Sequence, residues 1–205
     1  MNNKKINYII FDLGGVLVNI HPDLAMQKLT KATPLPEEKV SSFFLSEAHI
    51  QLMCGKISFR EFFDYFKEAY SFSKSFQDFL EIWEYIIGEP KQGIELLIQS
   101  LAKSHTIILC SNTDPEHWRI CRERCRFIDP YFTKCFLSFE MGLVKPGLKI
   151  YQFLLDDLST NANNAVFIDD SLENIEAAAK VGLHTIHAIS YDDIQQGLDK
   201  LDIRY

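Results

Sequence analysis

The amino-acid sequence predicts an α/β fold: a three-layer α/β/α core built on a parallel sheet, interrupted by a small, all-helical insertion. Three observations predict it. Four runs of strand length, Ile6 to Phe11, Thr106 to Cys110, Ala165 to Ile168 and His184 to Ile189, are almost continuously apolar. Runs without polar alternation fit strands buried on both faces, as in a parallel sheet covered by helices. Helical segments separate the later runs, and strand–helix alternation is the pattern of an open α/β sheet. The stretch between Phe11 and Thr106 is too long for one crossover and reads as mostly helical.

Each element has its own signals. Within the insertion, Gly55 ends one helix, and Ser58 with Glu61 forms a capping box that opens the next. Phe59, Phe62, Phe63 and Phe66 then fall on one amphipathic face. Pro34 and Pro36 mark another boundary, and Asp78 to Ile87 reads as a further helix with Phe79, Ile82, Trp83 and Ile86 on one side. Pro90 closes the insertion. Nine of the 16 Phe lie between residues 43 and 79, so the insertion is expected to carry its own aromatic core. Downstream, Thr113, Asp114, Pro115 and Glu116 open a helix over Asp114 to Arg126. Helices follow over Leu148 to Leu158 and Leu172 to Val181, the latter stopped by Gly182, with a short strand at Cys135 to Phe139. The boundaries read as a core of residues 1–18 and 95–205 and an insertion of 19–94, with hinges near Asn19 to Pro22 and Gly88 to Gly93.

Composition narrows the function. The 205 residues carry 21 basic and 28 acidic side chains, and a net charge of −7 without a basic stripe argues against nucleic acid. No apolar run approaches the ~20 residues of a membrane span. Met1 to Lys5 and the apolar run after them imitate a leader, but Asp12 interrupts the run and no small-residue cleavage site follows. Five irregularly spaced cysteines fit reduced thiols and a cytoplasmic protein rather than a disulfide framework. His117, Cys121 and Cys125 share a helical spacing that a metal could use, although a stripe of half-buried small residues is the plainer account. A monomer is the default.

The chemistry sits after the strands. The first run ends in Asp12, Leu13, Gly14 and Gly15, the second in Ser111, Asn112, Thr113 and Asp114, the third in Asp169 and Asp170. Open α/β sheets bind ligands at the carboxyl ends of their strands. Carboxylates gathered there repel one another unless a cation joins them, and a few hard oxygen ligands suit magnesium shared with a phosphate. Lys145, fixed beside Pro146 before a helix, offers a second positive charge.

Four segments resemble, in order and spacing, the motifs of the haloacid dehalogenase superfamily: FDLGGVLV at 11–18, LCSNTD at 109–114, GLVKPGLKIY at 142–151 and FIDDSLENIEAAAKVG at 167–182. The resemblance implies a Rossmann-like core, and the insertion sits where the family places its helical cap. The FDLG form is similar to bacterial sugar-phosphate phosphatases that act on glucose 1-phosphate. The family pattern implies that Asp12 is the nucleophile, becoming an aspartyl phosphate. It implies magnesium bound by Asp12, the Gly14 carbonyl and Asp170, with Asp169 orienting that shell. Ser111 and the Asn112 backbone N–H would grip the phosphoryl oxygens, and Lys145 would bridge phosphate and nucleophile. One departure stands out: Gly14 occupies the place of the family's second Asp, the general acid. His21 and Asp23 are candidates to replace it, although both also read as entry-loop residues, and Lys56 beside Gly55 is a candidate cap contact with the substrate. The expected activity is hydrolysis of a small phosphorylated metabolite. The alternatives are a metal-free haloacid hydrolase and a non-catalytic phosphate-binding module.

Overall fold

The computed structural model describes residues 6–205, so the leader-like segment Met1 to Lys5 lies outside the described residues. In chain order the strands are β1 (Tyr8–Phe11), β2 (Val18–Ile20), β3 (Ile87–Pro90), β4 (Thr106–Ser111), β5 (Phe132–Leu137), β6 (Ala165–Asp169) and β7 (His184–His187). Five form a parallel sheet in the order β5-β4-β1-β6-β7, while β2 and β3 pair antiparallel as a separate ribbon.

The apolar runs are continuous because both faces of the sheet are covered. Ile9, Phe11, Ile107, Leu109, Val166 and Ile168 share one core with helices Ile94–Leu101 and Tyr191–Lys200. Their alternate neighbours Ile10, Ile108, Cys110 and Phe167 face helices Leu148–Asp157 and Leu172–Lys180. The result is three layers. The edge strand β5 starts at Phe132, earlier than the expected Cys135, because Thr133 and Lys134 face solvent and break the apolar run.

The helical module, Pro22–Lys31 through Phe76–Glu84, leaves and re-enters the core through the β2–β3 ribbon. The expected hinges are therefore paired strands: Lys91 N–H donates to Leu17 O at 2.8 Å just beyond them. Helix Phe59–Tyr70 begins at the expected capping box of Ser58 and Glu61. A second box, Ser75 with Asp78, starts the next helix at Phe76, and that helix ends at Glu84 rather than Ile87. Between them lies an aromatic core. Phe43 packs its ring 4.7 Å from Phe62 and 4.4 Å from Phe66, and Phe79 lies 5.1 Å from Phe66. Full burial of each such ring stabilises by about 1.5–3 kcal/mol. This core is continuous with one face of the sheet. Gly55, at φ +65°, docks the module's turn on the sheet domain: a Cβ there would lie 2.1 Å from Phe139 O.

Candidate active site

β1 runs between β4 and β6, with Phe11 in register with Leu109 on one side and Ile168 on the other. That register brings Asp12, Ser111 and Asp169 to one point on the carboxyl edge of the sheet, where neighbouring connections diverge to opposite sides. After Asp12 the chain turns tightly, with Leu17 N–H donating to Leu13 O at 2.8 Å. Gly15 sits in this turn at φ +75°, and a Cβ there would be 2.0 Å from Asp170 Oδ2. Only glycine lets the loop pass that carboxylate.

Lys145 is the buried centre of the cluster. Its Nζ donates to Asp12 Oδ1 at 2.8 Å and Asp169 Oδ2 at 2.6 Å. Asn112 places it, accepting from Lys145 N–H through Oδ1 and donating to Lys145 O through Nδ2, both at 2.8 Å. Asp169 is held in turn: its Oδ1 accepts from Ser171 N–H and Asn174 Nδ2, both at 2.9 Å. Asp170 joins Asp12 and Asp169 in a group whose oxygens lie within 4.8 Å of one another. Two carboxylates thus hold the ammonium, and a third stands beside them.

The electrostatics follow. Burial pushes the Asp12 carboxyl up to about 7, and Asp169 adds to this while Lys145 opposes it. Asp170 is also raised, by burial and then by Asp169. Burial works against the charge on Lys145, but Asp12 and Asp169 outweigh it and hold its pKa above the usual lysine range. The site holds more carboxylate than its own cation can neutralise. Hard oxygens with excess negative charge at a strand-end crevice can hold a divalent cation. Ser111 is a buried residue that lines the crevice beside Asp12, where its hydroxyl can meet a ligand.

A chamber of about 270 Å³ opens above this floor, lined by Asp12, Gly14, Ser111, Asn112 and Asp170 below and by Phe44, His49, Met53 and Trp83 from the module. Of the other candidates, His21, Asp23 and Lys56 are exposed and outside the chamber lining. Sequence reasoning missed the chamber's side wall. Asp114 caps its helix, accepting from Glu116 and His117 N–H through Oδ1, as its sequence signals predict. Its Oδ2 also accepts from Trp83 Nε1 at 3.1 Å and His117 Nδ1 at 2.9 Å. His117 Nε2 donates to Trp83 O at 3.0 Å, and the two rings stack 4.9 Å apart. An imidazole that donates at both nitrogens is protonated. Burial opposes that charge, yet Asp114 outweighs it and raises the His117 pKa. Cys121 and Cys125, which share its helical spacing, are buried thiols whose pKa burial raises.

Comparison with known proteins agrees with this geometry. The chain is 26% identical over 199 residues to the D-ribitol-5-phosphate phosphatase of Bacteroides thetaiotaomicron, covering 94% of this chain and 97% of that one. A HAD family enzyme from the same organism, solved with magnesium and inorganic phosphate, superposes with a TM-score of 0.78 at 27% identity, covering 88% of this chain and 92% of the other. A predicted HAD-like hydrolase from Porphyromonas gingivalis shares the fold, with a TM-score of 0.84 at 22% identity over 98% of this chain and 99% of that one. The family model for haloacid dehalogenase-like hydrolases matches residues 6–182. The chain is therefore a member of the haloacid dehalogenase-like hydrolases.

Proposed function

We propose that this enzyme is a magnesium-dependent phosphatase that hydrolyses a small phosphorylated metabolite through an aspartyl phosphate on Asp12. The observation that carries the reading is the excess of carboxylate around Lys145, with Asp12 bonded to the lysine and also within 4.8 Å of an Asp170 oxygen, close enough to share an ion. The donor set fits magnesium: Asp12, Asp170 and the Gly14 carbonyl would hold the ion. When bound, magnesium supplies the positive charge that keeps Asp12 ionised and offsets that of a dianionic phosphate.

The protein's own groups do the rest. Ser111 Oγ and the Asn112 backbone N–H orient the phosphoryl oxygens. Lys145 offsets the charge that develops between them and Asp12. An Asp12 carboxylate oxygen bonds to phosphorus as the ester P–O bond breaks, and the departing alkoxide takes a proton. Water then attacks phosphorus, releasing inorganic phosphate and restoring Asp12. Gly14 supplies no acid, so the departing oxygen receives no proton from that position. A sugar or polyol phosphate is the substrate to assay first, in line with the sequence resemblance and the ribitol-phosphate relative. Five free cysteines fit a reducing, cytoplasmic setting, and among the described residues no helix is long and apolar enough to cross a membrane. Isolated exposed apolar residues such as Leu45 and Leu96 fit a monomer.

A metal-free haloacid hydrolase has no use for Asp170 beside Asp12, and a mere phosphate binder has none for a buried nucleophile. Phosphate release from phenyl phosphate, with magnesium and with EDTA, tests the reading. Turnover is expected with magnesium only; equal turnover in EDTA, or none in either, ends it.

A further inference from the structure

The floor of the chamber grips phosphate whatever ester carries it, so the organic group is chosen by the helical module. Module side chains meet that group mainly with carbon. Phe44 and Met53 are apolar, and Trp83 has its indole N–H committed to Asp114. Asp114 and His117 are committed to each other and to Trp83. His49 differs. Its Nδ1 lies 2.8 Å from Phe44 O, and since a carbonyl only accepts, Nδ1 carries the hydrogen. Its backbone N–H donates to the capping Ser46 Oγ at 3.2 Å, which fixes the residue in its helix. The rings of Trp83 and Phe44 stand edge-on to the imidazole, 5.6 and 5.7 Å away. Among the described residues no group bonds to Nε2, which is left as a lone-pair acceptor. Burial lowers the pKa of this ring and so favours the neutral form.

We propose that His49 is the specificity residue of the chamber, accepting one substrate hydroxyl at Nε2 while the rest of the organic group packs its carbon against Phe44, Met53 and Trp83. The inference rests on the phosphatase reading but departs from the sugar and polyol phosphates that the sequence resemblance suggests, pointing to phosphate monoesters of short, sparsely hydroxylated alcohols. Each further hydroxyl carried beneath the module loses water without gaining a protein partner. A fully hydroxylated chain of the same length is therefore disfavoured.

Steady-state kinetics with magnesium on butyl phosphate, its monohydroxy derivatives and erythritol phosphate test this on one carbon length. The best monohydroxy ester is expected to exceed butyl phosphate in kcat/KM by about tenfold, and erythritol phosphate to fall below it. In His49→Leu that ratio collapses to near one, whereas His49→Gln, whose amide oxygen can accept, retains part of it. A flat ratio in the wild type, an undiminished ratio in His49→Leu, or preference for erythritol phosphate overturns the proposal. If His49→Leu does not fold, the wild-type series and His49→Gln still decide. Phenyl phosphate in the same assays separates the two readings: magnesium-dependent release with a flat ratio overturns only the role of His49. No release from any ester overturns both.

Discussion

Two buried ionic clusters lie within this molecule, one at Lys145 and one at His117, and they are built on opposite principles. At His117 the account closes. One carboxylate meets one imidazolium, and the remaining donors on Trp83 and the helix N-terminus each find an acceptor. At Lys145 it does not: three carboxylates gather beside one ammonium, and burial with Asp169 resists the ionisation of Asp12. The first cluster joins helix Phe76–Glu84 of the module to helix Pro115–Arg124 of the core, and its purpose is attachment. The second is left electrostatically incomplete, and what would complete it comes from solution. Burial of charge alone does not mark an active site; an unbalanced burial does.

The contrast can be broken by substitution. The largest effect is expected at Asp12: Asp12→Asn should lower phosphatase turnover by at least about 10³-fold. The same substitution should raise the melting temperature in EDTA, because it removes a carboxylate that the fold holds against ionisation. A melting temperature that falls instead would show the cluster to be as balanced as the one at His117. Next, Lys145→Met should cost on the order of 10²–10³-fold in kcat, as expected for loss of a preorganised transition-state donor. If only KM moved, Lys145 would be binding substrate without acting in the reaction.

At the other cluster the effect should appear in stability. His117→Leu leaves Asp114 buried without its cation and should cost roughly 3 kcal/mol, read from urea unfolding. Loss of less than about 0.5 kcal/mol would mean that Trp83 and the helix N-terminus suffice for Asp114.

The smallest effect concerns pH, and its sign differs between the two buried carboxylates, Asp114 and Asp12. The His117 pKa is raised above 6.5, so its contribution is complete below 6.5 and fades as pH rises through the folded value. Burial opposes the ionised form of Asp114, but His117 and the surrounding donors prevail and lower its pKa below 3.8. That contribution is present above 3.8 and fades as pH falls through the folded value. Asp12 runs opposite to Asp114 and in the same sense as His117. Its pKa is raised from 3.8 to about 7, so it favours the fold below 3.8 and ceases to do so as pH rises toward 7. In EDTA, the melting-temperature advantage of Asp12→Asn over wild type should grow across that interval and then level off. Magnesium should shrink it. A constant difference across pH would remove Asp12 as its source.

The contrast also marks how far the sequence could be read. Asp12, Ser111 and Asp169 were legible because each ends a continuous apolar run, and a parallel sheet brings such ends together. Lys145 lies on no such run; its place beside Pro146 before a helix suggested a fixed charge, and the motif resemblance gave that charge a role. Asp114 was recognised as a helix cap because capping is a local signal, but its bond to Trp83 joins residues 31 positions apart, and no local pattern encodes that. His49 had no signal at all, since its free nitrogen matters only once the module is folded over the sheet. The ribbon escaped for a related reason. Its strands, Val-Asn-Ile and Ile-Gly-Glu-Pro, are too short to show a period, and each draws its order from the other.

That ribbon bears on how the chain finds its fold. β1 pairs Tyr8 with Thr106, so joining β1 to the rest of the central sheet must close a loop that contains the whole helical module. Such distant contacts are slow because the entropy of closure is lost before any pairing is gained. The module's contacts are mostly local, and β2 pairs with β3 at its base. A module that collapses first therefore holds Leu17 and Lys91 together and turns one long closure into a short one. The phenylalanines that fill the module's core behind the chamber would then act earlier, as the nucleus that allows the central strands to meet.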